Sequence, residues 1–280
     1  MKQKRWKNDK GLVIFLKNMV FSLIMLSAVC MVVACSHTEK SDQLTIAATA
    51  VPHGEILEQV VKPELAKEGI TLNVRIFNDY VQPNALVDQH QIDANYFQTL
   101  PFLKQYNKDH HSNLVPIVGV HIEPMGAYSR HYTSIAALPE GAHVAIPNDP
   151  SNEARALLLL SKAGLIQLKD ASNSLVTEDD ISANPKKLVF QTLDAAMLPR
   201  VLDQVDLAVI NTNYALDAHL SPLKDALILE DKDSPYVNYL VARSDNKDDP
   251  RIVKLKQALT SQKVKAFIEK QYQNAIIPAF

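Results

Sequence analysis

The sequence has little cysteine and little glycine. Of its 280 residues, two are cysteine and seven are glycine. Two cysteines cannot build a disulfide scaffold or a four-cysteine zinc site. The shortage of glycine argues against glycine-rich phosphate loops and propeller-like repeats. With 47% hydrophobic and 21% charged residues, the chain has the composition of an ordinary globular protein, and its length suits one large or two medium domains.

The motifs of common enzyme classes are also missing. The sequence contains no G-x-S-x-G, G-x-G-x-x-G, P-loop, H-E-x-x-H or C-x-x-C pattern. The histidines of residues 109–111 are adjacent, and adjacent residues on a helix do not face the same side, so we interpret them as a polar helix end rather than a metal pair. A secreted α/β hydrolase needs a nucleophile where a strand ends. The predicted strand ends carry Thr49, Asn78, Pro147 and Asn211, and none of these is a credible nucleophile. We therefore predict no enzyme activity, no metal and no cofactor.

Charge is distributed unevenly along the chain. The formal net charge is −2, but residues 1–18 carry a balance of +5, so the remaining residues carry −7. An acidic body disfavours nucleic acid as a partner.

The N-terminus has the pattern of a secretory signal. The basic residues precede Met19–Ala34, an uncharged run of 16 residues, whereas a membrane-spanning helix needs about 20. The run ends in Val-Val-Ala-Cys at Cys35, which resembles a bacterial lipobox. We expect a signal peptide over 1–34, cleavage before Cys35, lipidation of Cys35 with acyl chains such as palmitate, and a tether over 35–43. A single transmembrane anchor is the alternative.

These features predict a lipoprotein held at the membrane outside the cytoplasm, on the periplasmic face or the cell surface. Two or more acyl chains anchor a protein durably where one would not. Lipidation of Cys35 would leave no free thiol in the mature protein, which excludes cysteine catalysis and disulfides.

The body of the chain alternates between short apolar segments and helical patterns. We predict strands over 44–49, 71–77, 92–97, 113–122, 143–146, 188–193, 207–210, 226–229 and 237–242. We predict helices over 55–68, 84–91, 101–109, 152–163, 195–204, 213–219, 251–259 and 261–273, with a kink or division at Pro63.

This rhythm indicates an α/β fold with two lobes, each a mostly parallel sheet flanked by helices. Together with the predicted anchor, it favours a two-lobed solute-binding architecture of the periplasmic-binding-protein type (type II-like). We expect lobe one over 44–125 plus 237–280 and lobe two over 126–236.

Ligands of open α/β sheets bind beyond the carboxyl ends of the strands, so the residues there are the candidates. Either Asp149 or Ser151 can cap the predicted helix. Arg155 follows one turn into it, where a cation opposes the helix dipole at a cost of about 0.3–1 kcal/mol. A bound carboxylate held bidentately would explain this arginine. The alternatives are a solvated arginine or one paired with Glu153 or Asp149.

Two further groups follow strand ends. Asn211 suits recognition of the backbone groups of an amino acid, or it caps the next helix. The aromatic residues at 80, 96, 97 and 102 form either a ligand wall or ordinary core.

Several longer stretches resemble the NlpA family of MetQ-like, methionine-binding lipoproteins, the solute-binding parts of ABC importers. The matching stretches are Phe77–Tyr80, Ile92–Asn95, Phe97-Gln98, Val144–Asn152, Leu157–Leu160, Gly164–Ile166, Asn184–Lys186, Leu207–Thr212 and Glu230–Asn238. The resemblance implies an amino acid, methionine in particular, in the cleft between two lobes. It also implies an ABC permease and its ATPase as partners.

Carried over by motif, the resemblance gives roles to individual residues. Arg155 looks like the carboxylate clamp, while Asn211 and Asn238 look like polar contacts to the ligand backbone. Tyr80 and Phe97 look like walls around a thioether, which gains about 0.3–1.5 kcal/mol from each sulfur–aromatic contact.

The chain departs from the family pattern at one place. Relatives typically have Phe-Gln-His, a basic residue, Pro and Tyr, whereas this chain has Thr99, Leu100 and Phe102 in the corresponding run. Thr99 and Phe102 therefore imply a roomier, more apolar pocket, so another apolar amino acid or a short peptide stays open as the ligand. A metal-binding receptor or an adhesive lipoprotein are the remaining hypotheses.

Overall fold

The computed structural model describes residues 42–280, which form two mixed β-sheets covered by helices and one small antiparallel two-stranded sheet, Gln167–Leu168 with Ile181–Ala183. In this range the strands, numbered in chain order, are β1 Gln43–Ala48, β2 Thr71–Ile76, β3 Ala94–Thr99, β4 Val115–Ile122, β5 Gly126–Tyr128, β6 His143–Pro147, β7 Gln167–Leu168, β8 Ile181–Ala183, β9 Val189–Leu193, β10 Leu207–Ile210, β11 Ala226–Leu229, β12 Val237–Ala242 and β13 Ile277–Pro278.

The helices lie between these strands. The α-helices are α1 Lys62–Lys67, α2 Gln82–Asp88, α3 Leu100–His110, α4 Pro150–Lys162, α5 Thr212–Asp217, α6 Pro222–Asp225, α7 Pro250–Leu259 and α8 Gln262–Tyr272. Shorter helical segments are the π-type turns Ala50–Gly54 and Leu57–Val61 and the 3-10 segments Ile135–Ala137, Glu178–Asp180 and Ala195–Val201.

The first sheet has the strand order β13-β4-β12-β3-β1-β2, and the second has β11-β5-β10-β6-β9. Strands β2, β1 and β3 are parallel, as are β10, β6 and β9, whereas β12, β4, β13, β5 and β11 pair antiparallel. The predicted α/β class is correct, but the expectation of mostly parallel sheets is wrong. Each time the chain crosses from one sheet to the other, the first strand it forms there is antiparallel to its neighbours. The periodicity of the sequence carries no information about strand direction.

Each sheet has its own hydrophobic core. Strand β3 is buried along its whole length between β1 and β12, and β10 is buried in the same way between β5 and β6. Ile46 and Tyr96 belong to the core of the first sheet, and Leu157 and Val209 to that of the second. We refer to the two sheets with their helices as lobe one and lobe two.

Two short connections join the lobes. The first runs between Ile122 and Gly126, from β4 to β5, and the second between Leu229 and Val237, from β11 to β12. The predicted lobe boundaries, after 125 and after 236, fall within or at the ends of these connections, and the exact domain limits stay a prediction.

Most predicted elements agree with the structure to within a few residues. The predicted division at Pro63 is confirmed, because the helical turn widens to the π type over Leu57–Val61 and α1 then begins with Pro63 in its first turn. The predicted helix over 195–204 is instead a 3-10 segment with Pro199 inside it. Strands β5, β7, β8 and β13 were not predicted, since two or three residues are too few to show alternation.

The predicted signal peptide, 1–34, and the lipidation site, Cys35, lie outside the described residues. The predicted tether, 35–43, overlaps them only at Asp42 and Gln43, and Gln43 is the first residue of β1. Among residues 42–280, none of the helices has the length and apolar character needed to cross a membrane.

We predict that the stability of lobe one depends on the burial of Ile46 in its core. Its side chain is fully buried in the centre of β1, whereas Ile76 at the end of the edge strand β2 is 48% exposed. Ile46→Ala should lower the free energy of unfolding by about 2–5 kcal/mol, and Ile76→Ala by much less. Urea unfolding followed by circular dichroism measures both. Equal losses for the two substitutions would contradict this view of the core.

Candidate ligand-binding site

A cavity of about 350 Å³ lies between the two lobes. Lobe one contributes the loop after β2, the end of β3, the start of α3 and the start of β12. Lobe two contributes the first turns of α4 and α5, and the first connection contributes Glu123. The cavity is lined by Tyr80, Phe97, Gln98, Thr99, Phe102, Glu123, Asn152, Arg155, Asn211, Thr212, Asn213 and Asn238.

All seven residues that the sequence analysis selected for ligand binding line this one cavity. They are Tyr80, Phe97, Thr99, Phe102, Arg155, Asn211 and Asn238. They come from five separate segments of the chain, so the fold has brought them together. Their roles toward a ligand stay predictions.

Arg155 is held at the cavity by its helix and by both connections. Helix α4 begins after Asp149, one of the two predicted caps, whose side chain accepts a hydrogen bond from the Asn152 backbone N–H at 2.9 Å. Arg155 is only 3% exposed, and its Nε and Nη2 donate to the Glu230 carboxylate at 3.0 and 2.5 Å. Nη2 also donates to the backbone oxygen of Glu123 at 2.7 Å. Both alternative interpretations, a solvated arginine and pairing with Glu153 or Asp149, are therefore wrong.

The pairing with Glu230 changes the expected geometry of the clamp. One edge of the guanidinium, Nε with Nη2, is occupied by Glu230, while Nη1 has no hydrogen-bond partner among the described residues. Burial alone would lower the pKa of Arg155, but the adjacent Glu230 carboxylate raises it overall, so the group keeps its charge.

Asn211 presents an unsatisfied acceptor. Its Nδ2 donates to Asn152 Oδ1 at 2.8 Å, whereas its buried Oδ1 has no hydrogen-bond partner among residues 42–280. The side chain does not cap α5, although Asn211 occupies the cap position, so the capping alternative is wrong. A buried acceptor without a donor costs about 1–3 kcal/mol, which a ligand N–H group would recover.

Three aromatic rings form the apolar wall. The centroids of Tyr80, Phe97 and Phe102 each lie 5.7 Å from the other two. The Tyr80 hydroxyl donates to Asn213 Oδ1 at 2.6 Å, a direct contact between the lobes. Thr99 extends the wall, and its hydroxyl has no hydrogen bond to another described residue.

A second, larger cleft of about 1230 Å³ adjoins the aromatic wall. Tyr80 and Phe102 line both spaces, so these two rings separate the cavity from the outer cleft. The outer cleft carries acidic groups, among them Asp88, Asp109 and Asp149.

A buried polar cluster lies behind the cavity. His121 Nε2 is 2.7 Å and His53 Nε2 is 3.2 Å from the same Glu123 oxygen, Oε1. His53 Nε2 is also 3.2 Å from Asn238 Oδ1, which links the cluster to a residue of the cavity wall. Burial lowers the pKa of His53 to about 4 and that of His121 to about 3, and it raises the pKa of Glu123.

The comparison with known families agrees with this geometry. The model of the NlpA lipoprotein family matches residues 44–280, which is more than half of the chain. The chain belongs to the NlpA lipoprotein family. This confirms the resemblance drawn from the sequence motifs.

Individual members of the NlpA family are similar over most of their length. Outer membrane lipoprotein 2 of Mannheimia haemolytica is 44% identical over 227 residues, covering 81% of this chain and 82% of the relative. The D-methionine-binding lipoprotein MetQ of Escherichia coli is 42% identical over 235 residues, covering 83% and 87%.

A solved structure confirms the fold. A nutrient-binding protein from Burkholderia cenocepacia bound to methionine superimposes with a TM-score of 0.82 at 46% identity, covering 85% of this chain and all of that one. The expected two-lobed periplasmic-binding-protein fold is therefore correct for this NlpA family member.

Sequence reasoning missed five lining residues: Gln98, Glu123, Asn152, Thr212 and Asn213. Four of them adjoin or lie near predicted site residues, so extending each motif by a few positions would have included them. Glu123 had a different signal, since it is the sole charged residue between Ser112 and Ser129. A lone carboxylate in an apolar stretch indicates a buried charged group and therefore a candidate site residue.

We predict that His53 makes the protein less stable in acid. The pKa of His53 is about 4 in the folded protein and about 6.5 in the unfolded chain, so the unfolded chain binds more protons between these values. The free energy of unfolding therefore falls as the pH is lowered from about 6.5 toward 4. In His53→Gln this fall should be smaller by up to about 1.4 kcal/mol per pH unit. Urea unfolding at a series of pH values measures the difference.

His143→Gln is the control, because His143 is an exposed histidine outside the buried cluster. If His53→Gln ran parallel to wild type across the window, the neutral state of His53 in the folded protein would be refuted.

Proposed function

We propose that this chain is the lipid-anchored extracytoplasmic receptor of an ABC importer, which binds methionine between its lobes and delivers it to the permease. The observation that supports this most is the set of groups that line one cavity: a buried guanidinium, an unsatisfied amide oxygen and three aromatic rings. The names of relatives support it further, since MetQ of Escherichia coli is named a D-methionine-binding lipoprotein.

The polar groups suit the two ends of an amino acid. Arg155 Nη1 is a free charged donor for a carboxylate, and Asn211 Oδ1 is a free acceptor for an ammonium group.

The aromatic wall suits a thioether side chain. Contacts between a ligand sulfur and the rings of Tyr80, Phe97 and Phe102 would add about 0.3–1.5 kcal/mol each. Thr99 and Phe102 offer less hydrogen bonding than the histidine and tyrosine implied by the family pattern, and the outer cleft adjoins Phe102. These two features favour another apolar amino acid or a short peptide as the second candidate ligand.

Binding and delivery follow from contacts with both lobes. A ligand that touches lobe one through Phe97 and lobe two through Arg155 favours the state in which the lobes are closed, which is a population shift. The permease and its ATPase are the proposed partners, and lipid on Cys35 is the proposed membrane anchor. The site's arginine, asparagines and aromatic rings bind and orient a solute, and we propose no catalysis.

We predict that Arg155→Ala weakens methionine binding. Truncation leaves a buried carboxylate without its partner, which costs about 2–5 kcal/mol and raises the Kd by a factor of roughly 30 to several thousand. Isothermal titration of the full chain in detergent, with methionine and a panel of other amino acids and short peptides, measures the effect. Arg155→Lys keeps the charge but loses the planar fork, so we expect an intermediate loss.

Arg130→Ala is the matched control, because Arg130 is exposed and lies outside the cavity. Undiminished affinity in Arg155→Ala, with the melting temperature preserved, would refute the clamp. Absence of binding to every amino acid and peptide in the wild type would refute the proposed function.

A further inference from the structure

Basic residues are concentrated on one pair of helices in lobe one. Helices α7 and α8 together carry six basic residues and a single acidic residue, Glu269. In lobe two the balance is reversed, since residues 126–236 contain nine basic and fifteen acidic residues. We call the six basic side chains of α7 and α8 the basic face. They are Arg251, Lys254, Lys256, Lys263, Lys265 and Lys270.

The packing of the two helices directs the basic face toward solvent. Leu255 of α7 and Ile268 of α8 are fully buried in the core of lobe one. The basic residues lie between such buried positions, and Lys256, Lys263 and Lys270 are exposed. The spacing of the apolar residues by three and four positions therefore leaves the charges on the outer side of the helix pair.

Much of this charge has no partner within the protein. Lys256, Lys265 and Lys270 form no ion pair with any other residue of the range 42–280. Lys254 and Lys263 pair with glutamates at α1, each with an N–O distance of 2.6 Å. Exposed pairs of this kind are weak and are screened by salt, so these two lysines can exchange their partners for external anions.

The basic face adjoins the point at which the chain leaves the folded body. Arg251 Nη1 donates to the backbone oxygen of Gln43, the first residue of β1, at 2.6 Å. Eight residue steps separate Gln43 from Cys35, the proposed site of lipid attachment. Because an extended chain covers at most about 3.3–3.6 Å per residue, the start of α7 stays within about 30 Å of the membrane that holds the anchor.

A body held this close to a bilayer responds to the charge of the lipid surface. Anionic phospholipids attract lysine and arginine side chains, and the attraction falls off within a Debye length, which is about 10 Å at 0.1 M ionic strength. The same surface repels lobe two, which has an excess of acidic residues. The part of the protein that can approach anionic lipid is therefore lobe one, through α7 and α8.

We propose that the basic face binds the headgroups of anionic phospholipids and so sets the orientation of the receptor on its membrane. This inference rests on the lipid anchor of the proposed function and adds to it a second membrane contact, made by the folded body. Acyl chains and a basic patch act together as two membrane signals. Lobe one is held against the bilayer, and lobe two stays free to open and close.

Energy transfer between the protein and the bilayer tests this proposal. Residues 36–280 contain no cysteine, so Gln271→Cys on α8 or Ala171→Cys between β7 and β8 takes a single donor dye. The full chain is reconstituted in vesicles of phosphatidylcholine, with or without phosphatidylglycerol, that contain an acceptor lipid. Phosphatidylglycerol should raise the transfer from position 271 but not from position 171, and high salt should reverse the rise. No rise at position 271 would overturn the proposal.

Charge reversal gives the second test. Lys256→Glu combined with Lys270→Glu should abolish the rise at position 271 without lowering the melting temperature, since both lysines are exposed. Lys104→Glu combined with Lys108→Glu is the matched control, because these exposed lysines lie on α3, which packs in a different core cluster of lobe one. Equal losses for the two double variants would show that net charge, and not the basic face, controls the approach, and would overturn the proposal.

Methionine titration on the same vesicles separates this inference from the proposed function. The double substitution at 256 and 270 should leave the affinity for methionine unchanged, since neither residue lines the cavity. A chain that binds methionine but does not bring α8 closer to anionic lipid refutes this inference alone. Approach of α8 that requires the permease would assign the basic face to a protein partner and would also refute it. A chain that floats with neither kind of vesicle refutes the lipid anchor and this inference together.

Discussion

The buried ion pair between Arg155 and Glu230 is the interaction on which the site depends. It connects the first turns of α4 to the second connection, and the additional bond to the Glu123 backbone connects the same guanidinium to the first. Placing two charges in the interior is expensive, and such a pair contributes little to stability unless its remaining hydrogen bonds are satisfied. Here Glu230 also accepts hydrogen bonds from the Met125 backbone and from Ser234. These bonds offset part of the cost of burial and fix the geometry of the pair, without a large gain in stability.

Because Glu230 neutralises the guanidinium of Arg155, the other polar groups determine the polarity of the cavity. Asn211 contributes an acceptor and Glu123 a carboxyl group, and the side chains of Asn211, Asn238 and Glu123 are each held by a hydrogen bond to a neighbouring residue. Ligand specificity in this arrangement comes from groups that are oriented before the ligand arrives, which reduces the entropy lost on binding. The aromatic rings then select among side chains by shape and polarisability.

The sequence was sufficient to predict the fold class and the residues that converge on the cavity. The rule that ligands bind beyond strand ends identified Arg155 and Asn211, and the family motifs added Tyr80, Phe97 and Asn238. The direction of the outer strands could not be predicted, because side-chain alternation is the same in parallel and antiparallel pairs. The cluster of His53, His121 and Glu123 was missed because His53 is distant in sequence from the other two, and only the fold brings the turn after β1 beside the end of β4.

The two connections are themselves joined side by side. The Glu230 backbone N–H donates to the Met125 oxygen at 2.9 Å, and the Met125 N–H donates to the Glu230 carboxylate at 3.1 Å. Any opening of one lobe relative to the other must pivot about these two connections, so the lobes separate most at the end of the cavity farthest from them. Tyr80 and Phe102 lie at that end, between the outer cleft and the cavity. A solute that enters therefore contacts their rings before it reaches the charged groups near the connections.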